Sequence, residues 1–166
     1  MNSIEYTALF IVIALILFGF VLSFSNKAKR KKEKKNLWIE FDQFAIKNNL
    51  AIDKKQILNK NVIGIDRLNH KLIFLEKSEG VSKFHIIDLS ELSGCCLIKQ
   101  KNKFNGHISN IFLKCIFQEK GVADIVLPIY NEMKDDLYKL MRLSREAYYW
   151  QKSVNIFRQT AILGSR

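Results

Sequence analysis

"ISNIFLKCIFQEKGVADIVLPIY" occupies Ile108–Tyr130. Its first half alternates. Ile111, Leu113, Cys115 and Phe117 fall on one side of an extended chain, and Asn110, Lys114 and Gln118 on the other. A period of two over that length is a strand with one buried face. "EKGV" then makes a hairpin turn and "ADIVLPIY" is the return strand, so the two are antiparallel. Pro128 has no N–H for a ladder and suits a sheet edge or a strand end.

The same pattern extends upstream. "NVIGID" is a strand, "RLNH" a turn, and "KLIFLE" its return; "KSEGVS" turns the chain again into "KFHIIDL". "SELSG" leads to "CCLIKQK", and "NKFNGH" leads back to the strand at Ile108. Short turns between consecutive strands make neighbours antiparallel. Six strands are legible; a seventh lies near Leu50–Ile52 or Ile57–Leu58, or is absent, and "DKKQILNK" reads as a linker or the approach to a strand. Ahead of them, Leu37, Phe41, Phe44 and Ala45 have helical spacing beside Trp38, which predicts a short amphipathic helix from about Leu37 to Asn48.

Downstream the period changes to 3.6. From Asn131 as a cap to about Phe157 the pattern predicts one long helix, with Asp135 and Asp136 in its first turns, where the macrodipole favours negative charge. Leu137, Leu140, Met141, Ala147 and Tyr148 form its expected core face, and residues 159–166 a flexible tail. Tyr148, Tyr149 and Trp150 are consecutive, so they cannot all face one core. Trp150 first, and Tyr149 second, are the candidates for an exposed partner surface.

The fold class is therefore α+β: an antiparallel barrel or sandwich of six to seven strands, closed by a C-terminal helix. "VIGIDRLNHKLIFLEKSEGVSKFHIIDLSELSGCCLIK" resembles the first half of the bacterial pleckstrin-homology-like (PH-like) domains. There an x-I-x-I-D strand, a tight turn, an I-x-x-L strand and a strand ending in I-x-D-L follow one another. "ISNIFLKCIFQEKGVADIVLPIY" with the helix after it resembles the second half, so the likeness covers about Asn61 to Phe157. It implies a seven-stranded barrel plugged by the helix, and a binding role without catalysis. Members that hold phosphoinositides do so with basic residues on the first hairpin loop. Here "DRLNHK" offers Arg67 and Lys71, with His70 between them, as an anion-site candidate.

The N-terminal part has a different solvent. "YTALFIVIALILFGFVLSF", residues 6–24, carries no charge. Its nineteen residues, at about 1.5 Å each as a helix, match the roughly 30 Å hydrocarbon core of a bilayer. "MNSIE" has no Lys or Arg, the apolar stretch is longer than a signal-peptide h-region, and no small-x-small cleavage site follows, so a retained anchor is expected. Lys27, Lys29, Arg30, Lys31, Lys32, Lys34 and Lys35 come straight after it, against Glu33 alone. Basic flanks stay on the cytoplasmic side. The expectation is a single-pass inner-membrane protein with its N-terminus outside. Residues 1–25 are the anchor, 26–36 a basic juxtamembrane segment on anionic lipid, and 37–158 a cytoplasmic PH-like domain.

That run also holds more than half of the net charge of +11. The rest of the chain is only mildly basic, which argues against a nucleic-acid partner. Cys95, Cys96 and Cys115 have no metal or C-x-x-C spacing and read as reduced, mostly buried residues. His70, His85 and His107 have no metal spacing, no serine has a nucleophile-elbow context, and Asp66 and Asp88 read as turn caps. No catalytic residue, cofactor or metal is expected. The reading is a non-enzymatic, membrane-anchored adaptor or scaffold with an unidentified protein partner. The alternatives are an anionic-headgroup sensor and a divergent subunit of a membrane enzyme complex.

Overall fold

The computed structural model describes residues 29–78 and 80–164. Residues 6–24 and Lys27 lie outside them, and with them the expected anchor. Among the described residues no helix is long and apolar enough to cross a membrane. The chain forms two compact units, Met1–Ile39 and Glu40–Arg166. Helix α1 covers residues 29–47 and from Glu40 onward belongs to the second unit. It ends as the asparagines predict: Asn49 takes the left-handed conformation (φ 54°), and the Asn48 side chain donates to the Phe44 carbonyl at 2.8 Å.

The second unit is α+β. Seven strands follow: β1 Lys54–Leu58, β2 Asn61–Asp66, β3 Lys71–Ser78, β4 Val81–Asp88, β5 Leu92–Lys101, β6 Ile108–Phe117 and β7 Ile125–Asn131. They make two antiparallel sheets, one in the order β1-β2-β3-β4 and one in the order β5-β6-β7. β1 is the strand that the sequence leaves open. It pairs with β2 through a turn at Asn59 and Lys60, and Asn59 supplies the left-handed conformation (φ 60°) that a tight hairpin needs. The strand at Ile108 behaves as its alternation predicts: Ile111, Leu113 and Cys115 are buried, and Phe117 packs partly buried against the core. Pro128 sits on the edge strand β7, next to a register shift opposite Ile111 and Phe112.

The four-stranded sheet is covered on both faces. Ile63, Ile65, Leu72, Phe74 and Ile87 join Leu113, Cys115 and Leu127 of the other sheet in the main core. Val62, Ile73 and Leu75 are buried as well, and register places Ile73 directly across from Gly64. A Cβ on Gly64 would lie 2.8 Å from Cζ of Phe41, so α1 packs on this outer face. Phe44 stacks on Phe84 of β4 at 3.8 Å between ring centroids, and Glu40 pairs with Lys77 of β3 at 2.8 Å. This cover explains why all of "NVIGID" is buried, as in strands enclosed on two sides.

Helix α2 spans Leu140–Gly164, after a 3-10 turn at Leu137–Lys139. It starts later than predicted because Asn131 still belongs to β7, where its side chain accepts from the Met133 N–H at 2.9 Å and closes a turn. It also ends later: the residues expected as a tail from 159 are helical to Gly164, with Ala161 in the core. Its core face is Leu143, Ala147, Trp150, Val154 and Ala161. Leu137, Met141 and Tyr148, expected inside, are exposed. Ala147 is buried and Leu140 packs against the core as predicted, and the buried face is rotated from them toward the large Trp150 side chain, whose burial outweighs that of Tyr148.

Candidate binding surfaces

The predicted exposure of Trp150 is reversed. Its side chain is 0% exposed, and its indole N–H donates to Oε1 of Gln56 on β1 at 2.7 Å. A buried indole needs such a partner, and β1 exists to carry it. Tyr149 remains half-exposed; it meets Trp150 edge-on at 6.3 Å, and the Lys54 ammonium lies 4.0 Å from its ring centroid. Tyr148, also half-exposed, has the Lys152 ammonium 4.7 Å from its centroid.

The "DRLNHK" loop is the second hairpin, between β2 and β3, because β1 precedes it. Both of its cations are engaged. Lys71 pairs with Asp88, while Arg67 reaches Asp53 (Nε to Oδ1, 3.7 Å) and lies 5.2 Å over the Phe157 ring. An anion arriving there would have to displace these carboxylates. Asp66 and Asp88 are turn caps. Asp66 is fully buried and accepts from the N–H groups of Ala51 at 2.8 Å and Asn69 at 2.9 Å. Burial alone would raise its pKa, but the hydrogen bonds from Asn69 and Ala51 hold it below the ordinary value. Asp88 accepts from Ser90 N–H at 2.9 Å; burial opposes its ionisation, and Lys71 and Ser90 more than offset that.

Of the basic run, Lys29, Arg30, Lys31, Lys32, Lys34 and Lys35 are exposed on the first part of α1. Cys95 and Cys115 are buried, while Cys96 is exposed. Cys95 stands directly across from Cys115 in the β5–β6 register. The hydrogen bond to Cys115, then burial, pushes the Cys95 thiol far up, the opposite of an activated nucleophile. His85 is half-buried, 3.7 Å from Glu76; burial, then Lys83, lowers its pKa. Among the described residues no three His, Cys, Asp or Glu side chains converge for a metal ion.

A cavity of about 430 Å³ opens between the β1–β2 turn, the end of β3 and the end of β7, lined by Lys60, Asn61, Lys77, Tyr130, Lys134 and Asp135. Its polar walls are largely bonded to each other. Lys77 pairs with Glu40, Asn61 donates to the Pro128 carbonyl at 2.7 Å, and Asp135 accepts from Asn59 and from the Asn131 N–H.

Two surfaces remain that sequence reasoning did not isolate. One is the outer edge of β4, where Val81 and Ile86 are exposed and no hydrogen bond reaches the peptide groups of residues 81–86 from beyond the sheet, among the described residues. The other sheet edges carry protective features. β1 is short and begins with two lysines, β5 is bonded by side chains of α2, and β7 contains Pro128. The second surface is the solvent side of α2. No protein-family model, curated protein or solved structure matches this chain.

Proposed function

We propose that the chain is a membrane-anchored, non-enzymatic adaptor. In this reading residues 6–24 span the inner membrane with the N-terminus outside, the basic run lies on the cytoplasmic leaflet, and a PH-like domain displays a protein-binding edge in the cytoplasm. Seven strands followed by a long helix is what the PH-like resemblance implies, and the element order here supports that fold assignment. The observation that carries the binding role is the open edge of β4. An eight-residue strand whose outer peptide groups have no partner among the described residues, with exposed Val81 and Ile86, is a template for an added strand. The partner contributes an extended segment whose backbone pairs antiparallel or parallel to β4. Its side chains meet Val81 and Lys83 on one face of the sheet and Ile86 on the other. The neutralised β2–β3 hairpin favours this reading over headgroup binding there.

The test is site-specific photo-crosslinking of the full-length protein in its host cells. Reactive residues at Val81 and Ile86 should trap one discrete partner. The same group at Phe104, which is fully exposed on the β5–β6 loop, should not. Equal labelling from Phe104, or no adduct from β4, overturns the assignment.

A further inference from the structure

α2 has two apolar faces. One enters the core through Leu143, Ala147, Trp150 and Val154. On the opposite side Met141, Tyr148, Ile156 and Leu163 are exposed, at 85%, 49%, 57% and 72%. At about 100° per residue these four fall within roughly 80° of arc, and Arg145 and Lys152 fall inside the same arc. Core packing accounts for the first stripe and leaves the second unused. No exposed position of α2 is acidic. Glu146, the helix's one carboxylate, is partly buried and held by Arg142 at 2.8 Å.

We propose that this outer face of α2 lies on an anionic membrane surface. Apolar side chains interleaved with cations, with no carboxylate among them, match the acyl-headgroup boundary of a bilayer. Methionine, isoleucine and leucine enter the hydrocarbon edge, Tyr148 sits at headgroup level, and Arg145 and Lys152 reach lipid phosphates. The helix is too polar to cross a membrane, so it lies along one. Charge decides between occupants. A second copy packed antiparallel about the middle of the stripe would bring Lys152 onto Lys152, and Arg145 would find no acidic partner. The docked helix is independent of the β4 edge, which is on the other sheet.

The full chain carrying Cys96→Ser and Ile156→Cys, spin-labelled at that position, tests this in vesicles without any partner protein. Cys95 and Cys115 are buried and stay unlabelled. In 7:3 phosphatidylcholine/phosphatidylglycerol vesicles the label should become accessible to dioxygen and protected from a water-soluble nickel chelate. A label at Phe104 should stay in water in the same vesicles. In pure phosphatidylcholine, or at high salt, the label at position 156 should return to water. Arg145→Gln with Lys152→Gln, both exposed and expected to leave the melting curve unchanged, should lower the docked-to-free ratio roughly 25-fold, at about a factor of five per cation. A label at 156 that stays nickel-accessible on the anionic vesicles overturns the proposal, and points to an acidic protein if it is later buried by one. Dipolar broadening between labels in both lipids also overturns it, in favour of a second copy.

Discussion

The side-chain amide of Asn155 pairs with the backbone of Cys95 on both sides. The Cys95 N–H donates to Oδ1 at 2.9 Å, and Nδ2 donates to the Cys95 carbonyl at 2.9 Å. One helix side chain thus imitates a neighbouring strand at the edge of β5. Gln151 and Arg158, a turn away on either side, bond the same edge through the Cys95 and Ser93 carbonyls. Because both polar groups of Cys95 point at α2, they do not point at β6. Cys95 and Cys115 are therefore a non-hydrogen-bonded pair, in which side chains approach most closely. That geometry lets the two buried thiols bond to each other.

Replacing Asn155 with leucine leaves the Cys95 N–H without a partner at a partly buried edge, and its carbonyl with only the 3.4 Å bond from Gln151. The expected loss is about 2 kcal/mol, within the range for stranded polar groups. Denaturant unfolding measures it, and amide exchange at Cys95 should accelerate. Asn155→Asp keeps the acceptor but turns an oxygen toward the Cys95 carbonyl, so it should not restore stability.

Trp150 links α2 to β1. Truncation to alanine should cost about 3–5 kcal/mol, the range for buried aromatic side chains. Trp150→Gln, which would be harmless at an exposed position, should lower the melting temperature steeply. Trp150→Phe fills most of the space but leaves Gln56 Oε1 without its donor. Adding Gln56→Leu to Trp150→Phe should then recover part of the loss. Near-wild-type melting of Trp150→Gln would contradict the burial.

The sequence makes β6 legible because one of its faces is buried and the other is not, so period two survives in the residue order. β1 hides because its residues are mostly lysines and glutamine, and Gln56 gains meaning only once Trp150 is known to sit beside it. α2 misleads for a sharper reason. It carries two apolar stripes on opposite sides, and hydrophobicity alone cannot say which one meets the sheet. The hairpin cations Arg67 and Lys71 are visible in the sequence. Their carboxylate partners stand 14 and 17 residues away and are brought near only by strand pairing.

Acid should destabilise the fold in two steps. His85 has a folded pKa below its ordinary value of 6.5, because burial disfavours its charged form. The unfolded chain then binds more protons, so stability falls as pH drops from 6.5 through the lowered folded value. Asp66 and Asp88 have folded pKa values below their ordinary 3.8. Their contribution is complete above that value and is lost as pH falls through the depressed ones. Unfolding midpoints measured from pH 7 to about 2 should show the first limb and the onset of the second. His85→Gln should flatten the first, and Asp66→Asn the second while lowering stability at neutral pH. A first limb unchanged in His85→Gln would mean that another group titrates there.

The packing of α1 on the outer face of the four-stranded sheet can be tested at one contact. Gly64 needs no unusual backbone conformation, so an alanine there acts through space alone. Its Cβ would meet the Phe41 ring at 2.8 and 3.2 Å and Ile52 Cγ2 at 3.3 Å. Phe41 is fully buried, so its ring has little room to retreat. Gly64→Ala should therefore cost about 1–3 kcal/mol as overpacking. Phe41→Leu alone should also destabilise, through the space it vacates. Combined, the two should be better than their sum by about 0.5–3 kcal/mol, because the smaller side chain accepts the new methyl. Additive losses in the double-mutant cycle would mean that the Phe41 ring does not press on β2. The continuous burial of Asn61–Asp66 would then need another cover.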